Sequence, residues 1–297
     1  MARQPWLVHA FSTRAEGNSR VPSGPASALN LGFIETDKPA NVDKNRRRFF
    51  QALGAGEWPL AELRQIHSTS IFVVVKGPRG GLRYLPSGYP TPRASNRMLP
   101  QGDALLTNEP GVLLSVRSAD CLPILLADVR CRAVAAIHAG WRGALAGIIE
   151  KTVGEMVRVF GSRPRDLIAA IGPSIRACCY EVGDEVVNAF MGRYPNGEEF
   201  SRAAPNDRTE AHIARRYPLL FLSKQPPGHG PQPTERKHLD LVAVARYQLR
   251  RAGLSPDHVA AANYCTACRT DLFFSHRKEG SGTGRAMAVI GIGAVNS

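Results

Sequence analysis

Three residues with metal-binding side chains, His67, Cys121 and His138, stand beside apolar stretches of the sequence. His67 follows Leu63-Arg64-Gln65-Ile66 and precedes a β-branched run at Ile71–Val75. Cys121 lies in Ser118-Ala119-Asp120-Cys121-Leu122-Pro123, and His138 ends the apolar run Ala133–Ile137. Imidazole and thiolate both suit zinc, and three protein ligands with an open fourth position lower the pKa of a bound water to about 7. The separation of Cys121 and His138 suits adjacent strands leading into one cleft. Other readings stay open from the residues alone. A Cys in an apolar stretch packs as a small core residue, and a His at a strand end often makes structural hydrogen bonds. Cys121 with His138 or His67 could also work as nucleophile and base. Asp120, beside Cys121, is an acid that needs a partner or a task.

Candidate anion contacts lie close by. Gly140-Trp141-Arg142-Gly143 reads as a strand-to-helix turn, where backbone N–H groups and the Arg142 guanidinium suit phosphate or carboxylate. The same segment also reads as a tight turn with Trp141 capping the core. It is not a Walker loop, which ends Gly-Lys-Ser/Thr. Arg64, three residues before His67, is a second candidate. The glycine-rich Glu279–Arg285 precedes no helix and reads as a loop. The net charge of +13 suits anionic partners such as phosphates and nucleotides. The basic residues are dispersed, however, and the tightest run, Arg46-Arg47-Arg48, sits in a helical stretch. No RNA- or DNA-recognition signature accompanies them, so nucleic acid is not an expected partner.

The elements that must position these residues are best defined in the middle of the chain. Strands are expected at Leu7–Ser12, Ile71–Val75, Asp103–Thr107, Val112–Val116, Leu122–Ala127, Ala133–Ile137, Ile168–Ile171 and Ala286–Ile290. Helical periodicity marks about 42–53, 144–160 and 239–252. Two long loops, at about 76–101 and 194–237, carry Gly, Pro and polar residues without periodicity; the first reads as a lid or as a decorated hairpin. With no internal repeat and no clean linker, the expected architecture is one α/β (α+β) domain over 1–297, with mixed sheets and flanking helices. No apolar run approaches the roughly 20 residues needed to span a bilayer, and the first residues lack a secretory signal's apolar middle. A cytoplasmic location follows, with no membrane partner. There the six cysteines are expected as thiols, ligands or packing rather than disulfides. The nucleobase zinc-deaminase signature requires His-x-Glu and Pro-Cys-x-x-Cys. This chain has His138-Ala139-Gly140 and no Pro before Cys265, which excludes that fold though not deamination.

Several segments together resemble one family: Arg64-Gln65-Ile66-His67-Ser68, Asp103-Ala104-Leu105-Leu106-Thr107, Ala119-Asp120-Cys121-Leu122-Pro123 and His138-Ala139-Gly140-Trp141-Arg142-Gly143. Gly172-Pro173-Ser174-Ile175, Cys265-Thr266, Phe273-Phe274-Ser275-His276-Arg277 and Thr283-Gly284-Arg285 follow in the same order. They are similar to the bacterial laccase-domain proteins, also called multicopper polyphenol oxidoreductases and purine nucleoside phosphorylases. The resemblance implies a core similar to toxin deamidases that use a Cys–His pair. It also implies one zinc per chain on His67, Cys121 and His138. The implied activity is phosphorolysis of adenosine, inosine and 5′-methylthioadenosine, with adenosine deamination. A small-molecule nucleoside and phosphate are then the partners; oligomeric state is not read from the sequence. A multicopper cluster needs many His and Cys ligands in close pairs, whereas the eight His here are scattered singly; copper is not expected.

On this reading Cys121, Asp120, His138 and Arg142 are the catalytic candidates, Asp120 or a nearby His moving protons. Arg64, Arg142, Arg277 and Asn30 are the substrate and phosphate contacts, with Asn30 lying in the family-like Leu29-Asn30-Leu31-Gly32. His276 stands where many relatives have Tyr and is a further candidate base or ligand. The alternatives are a zinc amidase like the peptidoglycan editing relatives, a metal-free Cys–His hydrolase, and a basic nucleic-acid-binding protein whose affinity falls steeply with salt.

Overall fold

The computed structural model describes residues 1, 4–21, 27–77, 81–87, 99–203 and 237–293. In chain order its elements begin with β1 (Leu7–Phe11), α1 (Pro39–Ala52), β2 (Leu60–Ala61), β3 (Ile71–Lys76) and β4 (Leu82–Pro86). Next come β5 (Ala104–Thr107), β6 (Leu113–Ser118), β7 (Leu122–Asp128), β8 (Val134–Ala139), α2 (Trp141–Leu145), α3 (Ile148–Phe160) and β9 (Leu167–Ile171). The remainder is β10 (Glu181–Val182), α4 (Asp184–Arg193), β11 (Ser201–Ala203), β12 (Lys237–Leu239), α5 (Leu241–Arg251), β13 (Val259–Ala261), α6 (His276–Glu279) and β14 (Ala286–Ile292). They fall into two compact units, Met1–Arg176 with Leu241–Ser297, and Ala177–Asp240.

The larger unit contains two sheets. One has the order β1-β14-β6-β2 and the other β13-β9-β7-β8-β5-β3-β4. Both the expected α/β class and the mixed sheets are present. In the seven-stranded sheet β3 and β5, and β9 and β13, pair parallel, while β7 runs antiparallel to both β8 and β9. Leu122-Pro123-Ile124-Leu125-Leu126-Ala127-Asp128 is buried at every position, which is how a strand covered on both faces reads. Leu105, Leu125, Val134 and Ala136 of this sheet share one core with Leu114, Val116, Ala288 and Ile290 of the other. The opposite face of the smaller sheet presents Leu113, Met287 and Val289 to Leu31, Phe49 and Phe50. Each fully buried Leu or Ile contributes roughly 1.5–3 kcal/mol, so the strand ends that carry polar side chains are fixed by the core beneath them.

One difference from the sequence reading has a clear cause. The helix expected over 144–160 begins earlier and is broken in two at Gly147, whose φ is +80°. Glycine enters that region without steric cost, and the N–H of Gly147 bonds to the Ala144 carbonyl to close the first piece. In the 76–101 loop, β4 folds back antiparallel on β3, as a hairpin does; residues 78–80 and 88–98 lie outside the described residues. Most of the 194–237 loop, residues 204–236, lies outside them too. The smaller unit holds the antiparallel sheet β10-β12-β11 with α4, and the rings of Phe190, Tyr194 and Phe200 pack together. Among the described residues no helix is long and apolar enough to cross a membrane.

Candidate metal centre

The register of the large sheet brings the candidate ligands to one end of it. Since β7 and β8 are antiparallel with Pro123 opposite His138, the start of β7 and the end of β8 share an edge. Cys121 therefore lies beside the Ala139-Gly140 turn. β5 pairs antiparallel to β8 with Ala104 opposite Ile137, so Asp103 stands next to His138, and the His138 N–H bonds to the Asp103 carbonyl at 2.8 Å. β3 pairs parallel to β5 with Ile71 opposite Ala104, which sets residues 66–70 alongside Asp103.

At this edge one ligand atom each from His67, Cys121 and His138 lies within 4.8 Å of the others. Cys121 Sγ is 3.7 Å from His67 Nε2, and the two imidazoles meet edge to face at 4.9 Å between centroids. The donors range from buried His138 through half-buried Cys121 to exposed His67, so the group is anchored on one side and open on the other. Gly140 completes it. A Cβ there would sit 2.5 Å from His67 Cδ2, closer than real Cβ atoms come, and 3.1 Å from Cys121 Sγ, tighter than most. Only glycine lets the imidazole and thiol close together.

Asp103, which the sequence reading placed only within a strand motif, organises the site. It is fully buried. Its carboxylate accepts from His138 Nδ1 at 2.9 Å, from the His67 N–H at 3.0 Å, and from the N–H and hydroxyl of Ser68 at 2.6 and 2.7 Å. Binding Nδ1 turns the other ring nitrogen of His138 toward Cys121 as the ligand atom, the carboxylate–histidine arrangement that orients metal ligands. The same carboxylate holds His67 at φ +59°, a backbone region costly for a residue with a side chain. One signal was available: an acid opening an apolar run must find donors if it is buried.

The electrostatics follow from this packing. Burial alone would raise the Cys121 thiol, but the charge and hydrogen bond of His138, with His67, outweigh it and bring the thiol down to about 6. Burial would lower His138, yet the Cys121 thiolate and the Asp103 hydrogen bond raise it to about 9. Burial would likewise raise Asp103, but the His138 and Ser68 hydrogen bonds hold its carboxyl below the ordinary value. Two imidazoles and a readily formed thiolate, aimed at one point and open on one side, match the donor chemistry of a three-ligand metal site.

The other candidates are placed less centrally. Asp120 has φ +97°, and its oxygens accept from Thr266 Oγ1 and the Arg277 N–H, both at 2.6 Å. Arg142 is exposed, with its guanidinium 4.4 Å above the Trp141 ring. Arg64 is exposed too, its backbone bonded to Pro100 and Gly102. Asn30 is fully buried and fastens loops: Nδ2 donates to Asp37 and to the Gly32 carbonyl, and Oδ1 accepts from the N–H groups of Gly32 and Arg285. His276 is exposed at the start of α6, which Ser275 caps.

Comparison with known proteins shows which family the chain resembles. The sequence profile of the family described as multi-copper polyphenol oxidoreductase laccase matches residues 8–293. The chain is 33% identical to purine nucleoside phosphorylase YlmD of Geobacillus stearothermophilus over 96% of its own length and 89% of the relative's. It is 35% identical to a purine nucleoside phosphorylase of Deinococcus radiodurans, again over 96% of this chain and 89% of the relative's. The crystal structure of Bacillus licheniformis YfiH superposes with a TM-score of 0.77 at 28% identity, covering 98% of this chain and 94% of that one. The chain belongs to the multi-copper polyphenol oxidoreductase laccase family, together with these YlmD and YfiH relatives.

Proposed function

We propose that this protein is a zinc-dependent purine nucleoside phosphorylase acting on adenosine, inosine and 5′-methylthioadenosine, with adenosine deamination as a second activity. The reading is carried by the convergence of His67, Cys121 and His138 on one point with Asp103 behind them. The names of the relatives supply the substrate class. One zinc per chain, held by those three side chains, supplies a Lewis acid that polarises what it binds. Asp103 fixes the His138 tautomer and pins the His67 loop by its N–H groups. Exposed His67 marks the side from which a nucleoside approaches. Arg64, Arg142 and Arg277 supply positive charge at the rim for an anionic co-substrate. Both Asp120 oxygens already accept hydrogen bonds, so Asp120 positions Arg277. Proton transfer in the deamination then falls to a histidine, with exposed His276 the candidate.

A second reading has its own support. A Cys121 thiol near 6, paired with His138 and backed by Asp103, is also the layout of a cysteine nucleophile, its base and the group that orients the base. Purified protein assayed for adenine release from adenosine separates the two. Phosphate-dependent release that a chelator abolishes, and zinc restores, is the result expected here. Turnover indifferent to chelators and phosphate but stopped by thiol alkylation would favour the cysteine hydrolase.

A further inference from the structure

Beside the metal ligands, and within reach of the Cys121 charge, the sheet that carries β6 and β14 places two arginines together. β14 pairs antiparallel to β6 with Met287 opposite Arg117. Side chains alternate along a strand, so Arg285, two residues before Met287, belongs on the face that bears Arg117. This is the face whose next residues, Leu113 and Val289, pack on Leu31. The two side chains meet over Gly32. A Cβ on Gly32 would lie 2.7 Å from Arg285 Cβ and 3.8 Å from Arg117 Cδ, so the missing side chain is what gives Arg285 room next to Arg117.

The pair is tied to both arms of the metal centre. Gln65, two residues before His67, clasps the backbone of Arg117: its Nε2 donates to the Arg117 carbonyl and its Oε1 accepts the Arg117 N–H, both at 2.8 Å. Arg117 Nη2 donates to the Leu63 carbonyl at 3.2 Å. On the other arm, Arg285 adjoins Ala286, which pairs with Ser118, three residues before Cys121. Asn30 Oδ1 accepts the Arg285 N–H at 2.9 Å.

Their charge is poorly balanced. Glu62 is the carboxylate beside Arg117, and Arg46 already engages both of its oxygens at 2.8 and 2.9 Å. Arg117 Nη1 stands 3.8 Å from Glu62. Arg285 donates from Nη1 to the carbonyls of Thr283 and Gly284; no ion pair holds it among the described residues, and Asp120 and Cys121 act on it only through their charge. Burial, and for Arg285 the charge of Arg117, lower the affinity of both groups for their protons. Two half-buried cations side by side, with forks still open, are arranged to receive an oxyanion.

We propose that Arg117 and Arg285, seated over Gly32, form the subsite for inorganic phosphate as co-substrate. The assignment rests on the phosphorolysis reading. The arginines hold hydrogen phosphate so that one oxygen forms the bond to C1′ as the C1′–N9 bond breaks. The bonding pair leaves with the purine, which takes the phosphate's proton, and ribose 1-phosphate and free base result. Exposed Arg142 and Arg64 are then accessory to this half-buried pair.

The test is steady-state phosphorolysis over a range of phosphate concentrations, together with calorimetric binding of inorganic phosphate. Zinc-loaded wild type, Arg285→Gln, Arg285→Lys, Arg117→Gln and Arg142→Gln would be compared. Losing one charged hydrogen-bonding group should raise the phosphate KM about 10- to 100-fold, with the nucleoside KM within about threefold. Arg285→Lys should fall between, which separates charge from folding. An unchanged phosphate KM in both Gln variants, or a larger rise in Arg142→Gln, overturns the subsite while leaving phosphorolysis standing. Wild type without phosphorolysis, yet with phosphate binding lost in Arg285→Gln, would overturn the reaction and keep the subsite. No phosphate binding to wild type would overturn it. Tighter binding and turnover of adenosine 5′-monophosphate would assign the pair to a substrate phosphate instead, and overturn the co-substrate role.

Discussion

Asp103 and Asp120 invite comparison, because each opens or precedes a fully buried strand and each accepts several hydrogen bonds. Around Asp103 every donor belongs to the metal edge: His138 Nδ1, the N–H groups of Ile66, His67 and Ser68, and the Ser68 hydroxyl. Around Asp120 the donors come from distant segments, Thr266 Oγ1 and the Arg277 N–H in α6. Both regions bend the backbone into positive φ, at His67 and at Asp120 itself. In the first region the bend aims a ligand, and in the second it knots together segments far apart in sequence. Proximity to Cys121 in sequence is therefore a poor guide to role. What a carboxylate does is set by which donors the sheet register brings to it.

The contrast predicts graded effects on metal affinity. Gly140→Ala should be the most damaging, because its Cβ would occupy space 2.5 Å from the His67 ring and displace a ligand outright. Zinc content should drop to a small fraction of wild type while the circular dichroism spectrum stays native. Retention of full zinc would show that the His67 ring is not needed where it stands.

Asp103→Asn should come next. Removing an outer partner of a ligating His typically weakens metal binding by about 10- to 100-fold, and an amide would also turn N–H groups toward the donors of residues 66–68. Zinc competition with a chromophoric chelator measures this loss, and a change under threefold would deny Asp103 its orienting role.

The pH dependence is steeper than for an ordinary His site. Between about 6 and 9 the Cys121–His138 pair holds one proton, on His138, because the thiol is lowered to about 6 and the imidazole raised to about 9. Metal must displace that proton, so affinity should rise about tenfold per pH unit across this window. Below about 6 the Cys121 proton must leave as well, and the slope should double. A flat profile from pH 6.5 to 8.5 would contradict the coupling. The same pair bears on folding with opposite signs: the Cys121 contribution fades as pH falls through 6, and that of His138 fades as pH rises through 9.

Asp120→Asn should have the smallest effect on the metal, within about threefold, and should act on stability instead. Leaving the Thr266 or Arg277 donor without its charged acceptor should cost about 1–3 kcal/mol, measurable by urea unfolding. Zinc loss comparable to that of Asp103→Asn would erase the distinction between the two regions.

Much of the metal edge was legible in the sequence because His67, Cys121 and His138 are ligand types set against apolar strands, and buried strands announce themselves by composition. Asp103 was visible only as a strand residue, since its role depends on β5 lying between β3 and β8. Gly140 gave no local sign, because its need to be glycine comes from ligands 19 and 73 residues away. The Arg117–Arg285 pair was equally hidden: it arises from the pairing of β6 with the last strand. Arg142 and Arg64 were singled out by nearness to motifs, and both proved exposed. The long apolar periodicity of 144–160 concealed a break because Gly147 fits a helical pattern as readily as it leaves one.

The central claim is that His67, Cys121 and His138 hold one zinc. Elemental mass spectrometry of purified wild type and Cys121→Ser, with chelator-treated and zinc-reloaded samples of each, tests it most directly. The account predicts about one zinc per wild-type chain after reloading and a small residue in the variant, with both proteins folded. Equal zinc in the two, or none in reloaded wild type, would contradict it.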